Sequence, residues 1–200
     1  MPAELFTNYG AICREDAEVI EASLMELLHG KGTKTVRVLE IGSYKGETGF
    51  GIKRFLAEAL GCGIDYWAIE PCVMVESETA PAPFEGANMI KGKSEEVFHL
   101  VPDEFDFIFV DGNHSRNSVI LDVFNYSTKV VPGGFMLFHD TSPTAQGQDY
   151  QYSGPMIPQF HIAVLEAFKL IGWPWHPWKL FMDRIPVDDS KYGTQSYRNG

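Results

Sequence analysis

Four residues beside two apolar runs stand out for the chemistry they could do: Asp111 and His114 in FDFIFVDGNH, and His139 and Asp140 in FMLFHD. Two carboxylates at adjacent strand ends suit a hard divalent cation such as magnesium, which takes oxygen ligands and keeps several waters. His139 offers a nitrogen that would favour a softer metal such as manganese or iron, or it is a packed, hydrogen-bonded histidine. His114, three residues after Asp111, can accept a proton near neutrality and is a candidate general base; the alternative is a cap on the helix that follows. Asn113 either orients a ligand or forms the turn.

These residues belong to a repeated pattern. VRVLE ending at Glu40, YWAIE ending at Glu70, FDFIFVD ending at Asp111 and FMLFHD ending at Asp140 each pass from apolar run to acid. Ligands bind beyond the carboxyl ends of strands in an open parallel sheet, so the four acids are expected around one crevice. Apolar periodicity predicts helices over Arg14–His29, Thr48–Leu60, Val119–Val130 and Ile162–Ile171. Strands are predicted over Val36–Ile41, Tyr66–Ile69, Asn88–Ile90, Phe105–Val110 and Phe135–His139, the last entered through the Pro132-Gly133-Gly134 turn. Ser94 reads as the N-cap of a short helix reaching Leu100.

Strands alternating with helices imply βαβ units. The expected fold is α/β: a single Rossmann-like, doubly wound, mostly parallel sheet with helices on both faces. One domain spans 1–200, with an N-terminal helical segment over 1–33 and a substrate lid and C-terminal segment over 142–200. The lid would draw its wall from the aromatic residues of 150–178. An edge strand is expected around Lys179–Met182, and a polar, poorly ordered tail beyond Pro186.

Composition narrows the partners. A net charge of -11 over 200 residues disfavours a phosphate backbone, which is bound by neutralising Lys and Arg, so no nucleic acid is expected. No apolar run approaches a membrane span and no secretory signal opens the chain, so no membrane partner and cytoplasmic residence are expected. Cys13, Cys62 and Cys72 are odd in number and lack metal-ligand spacing. A small molecule is the favoured partner, and a homodimer is the default assembly.

EIGSYKG, an acid closing the next strand, GKSEE, FVDGNH and PGGFMLFHDT together resemble the class I methyltransferases that use S-adenosylmethionine, most closely the small metal-dependent O-methyltransferases of the catechol and macrolide-sugar or antibiotic-tailoring types. The resemblance covers about Val36 to Thr141. It implies that Glu40 lies near the methionine amino group, that Gly42, Ser43 and Gly46 shape the cofactor turn, and that Glu70 holds the ribose hydroxyls. It further implies that Lys93, Ser94 and Glu95 surround the adenine, and that Tyr44 and Trp67 are candidates to stack on the cofactor.

In the resembled enzymes the acid closing the fourth strand and an acid pair after the fifth hold Mg2+ or Mn2+. Here that pair is His139-Asp140, so Asp111, Asp140 and His139 or Thr141 become the ligand candidates. His114 stands at the offset of the resembled base, with Asp111 beside it in the catalytic set. The implied activity is O-methylation of a small-molecule hydroxyl on a sugar or phenol. The rivals are a metal-independent methyltransferase on the same fold, a non-catalytic S-adenosylmethionine-binding module, and a nucleotide-dependent oxidoreductase. Gly42 and Gly46 are separated by three residues and Glu40 precedes them, which departs from the dinucleotide fingerprint and disfavours the last.

Overall fold

The computed structural model describes residues 12, 14–31, 35–72, 86–139, 164, 167–171, 175–177 and 195–199. In chain order the elements are α1 (Arg14–Lys31), β1 (Thr35–Ile41), α2 (Glu47–Arg54, continued by a π-helical turn Phe55–Ala59), β2 (Gly63–Glu70) and β3 (Asn88–Lys91). Then come α3 (Ser94–Val97, extended by a 3-10 turn Phe98–Leu100), β4 (Phe105–Val110), α4 (Arg116–Tyr126) and β5 (Val130–Phe138). A helical stretch at 164 and 167–171 (α5), β6 (Trp175–Pro177) and β7 (Gln195–Asn199) follow. No described helix is long and apolar enough to cross a membrane.

The strands form one seven-stranded sheet in the order β3-β2-β1-β4-β5-β7-β6. From β3 to β5 every pairing is parallel, and β7 pairs antiparallel to both β5 and β6. The expected doubly wound, mostly parallel sheet is the fold observed.

Strand periodicity sends alternate side chains to opposite faces. Leu39, Ile41, Ile69, Ile108, Val110, Met136 and Phe138 pack against Val97 of α3, Val119 and Val123 of α4, and Val164, Ala167 and Phe168 of α5. Val36, Val38, Tyr66, Ala68, Phe107, Phe109 and Leu137 face Ala17, Ile20, Leu24 and Leu27 of α1 and Ile52, Phe55 and Leu56 of α2. Strands buried on both faces read as continuous apolar runs, as they do here.

Several elements differ from the sequence reading. The Pro132-Gly133-Gly134 segment does not precede β5 but lies within it: Phe105 pairs with Val130 and Phe107 with Phe135, so the extra residues are absorbed in a bulge, with Gly133 at φ 79. The tail past Pro186 is not wholly irregular, because residues 195–199 form β7, inserted beside β5. Its polar residues hide this, since backbone pairing and a few side chains hold it. Buried Asn199 donates from Nδ2 to the Val130 carbonyl at 2.7 Å, and Arg198 donates to Glu26 of α1 at 3.2 Å. The edge strand expected at Lys179–Met182 lies outside the described residues, as does most of the 142–200 segment.

Candidate active site

The chain order reverses at β1 and β4, so the crevice beyond their carboxyl ends is the topological switch point of the sheet. Backbone hydrogen bonds tie the exits together: Asp111 N–H donates to the Ile41 carbonyl at 2.8 Å, Gly42 N–H to Ile69 at 2.9 Å, and His139 N–H to Val110 at 3.0 Å. Gly42 has φ 84, and a side chain there would run into the backbone of Asp111 and Gly112. Only glycine allows this close approach in the left-handed region. Gly46, at φ 75, is the N-cap of α2 and donates to the Ser43 carbonyl at 2.6 Å. The turn leaves the buried Ser43 hydroxyl without a hydrogen-bond partner among the described residues.

This turn forms one wall of a cavity of about 330 Å³, whose lining includes Gly42, Tyr44, Glu70, Lys93, Ser94, Glu95, Asp111 and Asn113. The volume is in the range of small-molecule sites. Glu70 is buried, with Oε2 accepting from the Tyr44 N–H at 2.7 Å and Oε1 from the Cys72 N–H at 2.8 Å. It therefore clamps the turn after β1 to the turn after β2. Trp67 is not among the lining residues; it packs against the core and donates from Nε1 to Asp65 at 3.0 Å.

Ser94 lines the cavity but does not cap α3. The N-cap is Lys93 and no side chain bonds there. The Ser94 carbonyl instead accepts from the Tyr126 hydroxyl at 2.8 Å, which ties α3 to α4. Behind it, the carboxyl of Asp122 is buried, and burial pushes it up to about 7, with the Ser94 hydroxyl opposing the rise and the Glu95 charge adding to it. Ser94 and Glu95 thus sit on the cavity side of a buried acid.

Glu40 lies behind the crevice lining rather than in it. Its side chain is fully buried, accepts from the Tyr66 hydroxyl, and sits under Gly49 of α2. Burial pushes its carboxyl up to about 8; the Tyr66 hydrogen bond opposes that, and the negative charges of Asp111 and Glu70 add to it. Of the four strand-end acids, Glu70 and Asp111 share the cavity wall, Glu40 stands behind it, and Asp140 lies outside the described residues.

Asp111 is the centre of a polar chain that runs from the cavity wall to the buried His139 and Asp16. Its Oδ1 faces His114 Nε2 at 3.3 Å and His139 Nδ1 at 3.1 Å, while the other nitrogen of His139, Nε2, faces Asp16 Oδ2 of α1 at 3.2 Å. Burial alone would raise the Asp111 carboxyl, but the His139 charge, then the hydrogen bonds of His114 and His139, hold it well below the usual carboxylate range. His114 does not cap α4: Ser115 is the N-cap, accepting from the Ser118 N–H at 3.2 Å. Asn113 forms the turn, its Oδ1 accepting from the Ser115 N–H at 2.9 Å, and it also lines the cavity.

Each ring nitrogen of His139, a metal-ligand candidate in the sequence, faces a carboxylate oxygen, Nδ1 that of Asp111 and Nε2 that of Asp16. No group of three metal-ligating side chains occurs among the described residues. Asp16 went unread in the sequence. The signal available was its place one turn before Ile20 and two before Leu24, an acid set in an apolar stripe.

The family described as Methyltransferase domain matches residues 39–141, just over half of the 200. No curated protein matches the chain by sequence. Among solved structures, the O-methyltransferase TomG of Streptomyces achromogenes, determined with S-adenosylmethionine, is 14% identical with a TM-score of 0.61, over 100% of this chain and 88% of its own. The O-methyltransferase NovP is 13% identical with a TM-score of 0.63, over 96% and 82% of the two chains. The O-methyltransferase of Bacillus cereus, determined with S-adenosylhomocysteine, is 14% identical with a TM-score of 0.59, over 99% and 90%. With its doubly wound sheet, its glycine turn at the switch point and this match, the chain belongs to the methyltransferase-domain family.

Proposed function

We propose that this chain is an S-adenosylmethionine-dependent O-methyltransferase acting on a small-molecule hydroxyl, with His114 as the base. The observation that carries the reading is the cavity shared by Gly42, Tyr44, Glu70 and Asp111, with His114 Nε2 held 3.3 Å from Asp111 Oδ1. The cofactor supplies an electrophilic methyl group on a sulfonium. The residues present fit it: the bare Gly42 backbone permits close approach, the Ser43 hydroxyl lacks a partner, and the Glu70 carboxylate is pinned in place by two N–H donors. Glu70 would hold the ribose diol, and Ser94 and Glu95 the base, with Lys93 beside them. Glu40, neutralised by burial, would support the turn from behind.

An alcohol is a poor nucleophile until its proton is removed. His114 would take that proton, with Asp111 fixing the ring and stabilising its charge once protonated. Asp111 is itself too strongly acidic for the base role. A divalent cation at Asp111 and Asp140 is the other route to an activated hydroxyl. The geometry favours the protein base, since Asp111 Oδ1 is already committed to two histidines and His139 to two carboxylates. The working assembly would be a single domain of 1–200 in the cytoplasm, alone or as a homodimer.

Calorimetric titration with S-adenosylmethionine and S-adenosylhomocysteine, with and without magnesium, tests the cofactor. Binding of both is expected, insensitive to magnesium. A phenol and sugar panel then supplies the acceptor, with turnover expected to persist in chelator. Turnover abolished by chelator and restored by magnesium would transfer the activating role to a cation. Cofactor binding with no acceptor across the panel would mark a binding module.

A further inference from the structure

Asp16 lies in α1, outside the residues 39–141 matched by the family, yet it reaches the centre of the site. We propose that Asp16 is a positioning residue of the active site, which holds the His139 ring and through it fixes Asp111 and the His114 base. The inference rests on the assignment of His114 as base.

Hydrogen-bond accounting supports it. A neutral imidazole has one N–H donor and one acceptor lone pair; only the imidazolium donates from both nitrogens. His139 faces a carboxylate oxygen at each, 3.1 Å to Asp111 and 3.2 Å to Asp16. The Asp16 and His139 side chains are 1% and 4% exposed, so water cannot replace Asp16 as the partner of Nε2. The carboxylates at its two nitrogens hold the ring at both ends, so it cannot turn about its bond to the backbone without losing a partner. Since Asp111 receives His139 and His114 on the same oxygen, Oδ1, a His139 ring that swings away frees the Asp111 carboxylate to rotate, and His114 loses its anchor.

The arrangement also gives a reason for histidine where the resembled enzymes carry an acid. A carboxylate at 139 would meet both Asp16 and Asp111 as like charges. Histidine makes the same position a bridge, and it draws the N-terminal helix into the site.

Histidine ring 1H–15N spectra of the labelled protein with saturating S-adenosylhomocysteine provide a test that needs no acceptor. In the wild type, His139 is expected to show a ring N–H proton protected from exchange. Asp16→Asn, nearly isosteric, is expected to shift that signal and to move the His114 ring resonances, while the S-adenosylhomocysteine Kd stays within about threefold. With the acceptor found, Asp16→Asn is expected to lower kcat by up to about 100-fold with little change in either KM. In a His139→Gln background the same substitution is expected to add no further loss. No protected ring N–H on His139 in the wild type would overturn the proposal without any variant. So would unmoved His114 resonances in Asp16→Asn, or losses that multiply in the double variant. Failure of the base assignment is separable: His114→Ala would then turn over normally while the spectral coupling between Asp16 and His114 persisted.

Discussion

The Tyr66 hydroxyl, on β2, donates to the Glu40 carboxyl, on β1, across two adjacent parallel strands with both side chains buried. The pair places an acid inside a core otherwise built from aliphatic and aromatic groups, so its protonation state is tied to folding.

Glu40 is pushed up to about 8 from 4.5. Between those values the folded chain binds a proton that the unfolded chain has released, so stability is greatest below the lower value and is lost as pH rises through the upper one. Asp122 and Glu21, both pushed up to about 7, act in the same sense. Denaturant titrations from pH 5 to pH 8.5 should show falling stability. Glu40→Gln should flatten that fall by up to about 5 kcal/mol. An unchanged slope in the variant would contradict the assignment of Glu40.

Tyr66→Phe removes the donor and leaves the acid without it. The expected loss at neutral pH is about 1–3 kcal/mol, measured by urea unfolding. A loss below a few tenths would mean the hydroxyl contributes nothing there.

Gly42→Ala combines left-handed backbone with a collision against Asp111 and Gly112. Loss of more than about 1 kcal/mol of stability is expected. Calorimetry should also find S-adenosylmethionine binding abolished in whatever fraction folds. Retained binding at wild-type affinity would remove this turn from the cofactor site.

Glu70→Gln keeps the shape of the side chain but removes its charge, weakening both the clamp on the Tyr44 and Cys72 N–H groups and the hold on a ribose diol. Cofactor affinity is expected to fall by at least about tenfold, since hydrogen bonds to charged acceptors are worth about 1.5–3 kcal/mol. His114→Ala should behave in the opposite way, sparing cofactor affinity and abolishing turnover. A shared phenotype for the two would mean that His114 belongs to cofactor binding.

Much of the fold was legible because β1, β2 and β4 are buried on both faces and so announce themselves as apolar runs ending in acids. The alternation with α1, α2 and α4 then dictates a parallel sheet. The crevice followed, since Glu70 and Asp111 end the two strands that flank β1. What escaped depended on contacts between distant residues. Asp16 and His139 are 123 positions apart, and neither carries a local sign of the other. β7 escaped for a related reason: a strand held by backbone pairing and by Asn199 and Arg198 has no apolar alternation to read. Ser94 was misread as a cap because Ser before two acids is a strong local pattern, yet Lys93 takes that position.

The pairing of β7 with β5 has a consequence for how the protein is made. β5 carries the backbone that leads to His139, and its outer edge stays open until residues 195–199 emerge and close it. A nascent chain, or a fragment cut before residue 195, would present unpaired N–H and C=O groups along Phe135–Phe138, a template for another molecule's strand. Completion of the sheet therefore waits on residues 195–199, and self-association before they emerge is the hazard that chaperones would have to manage.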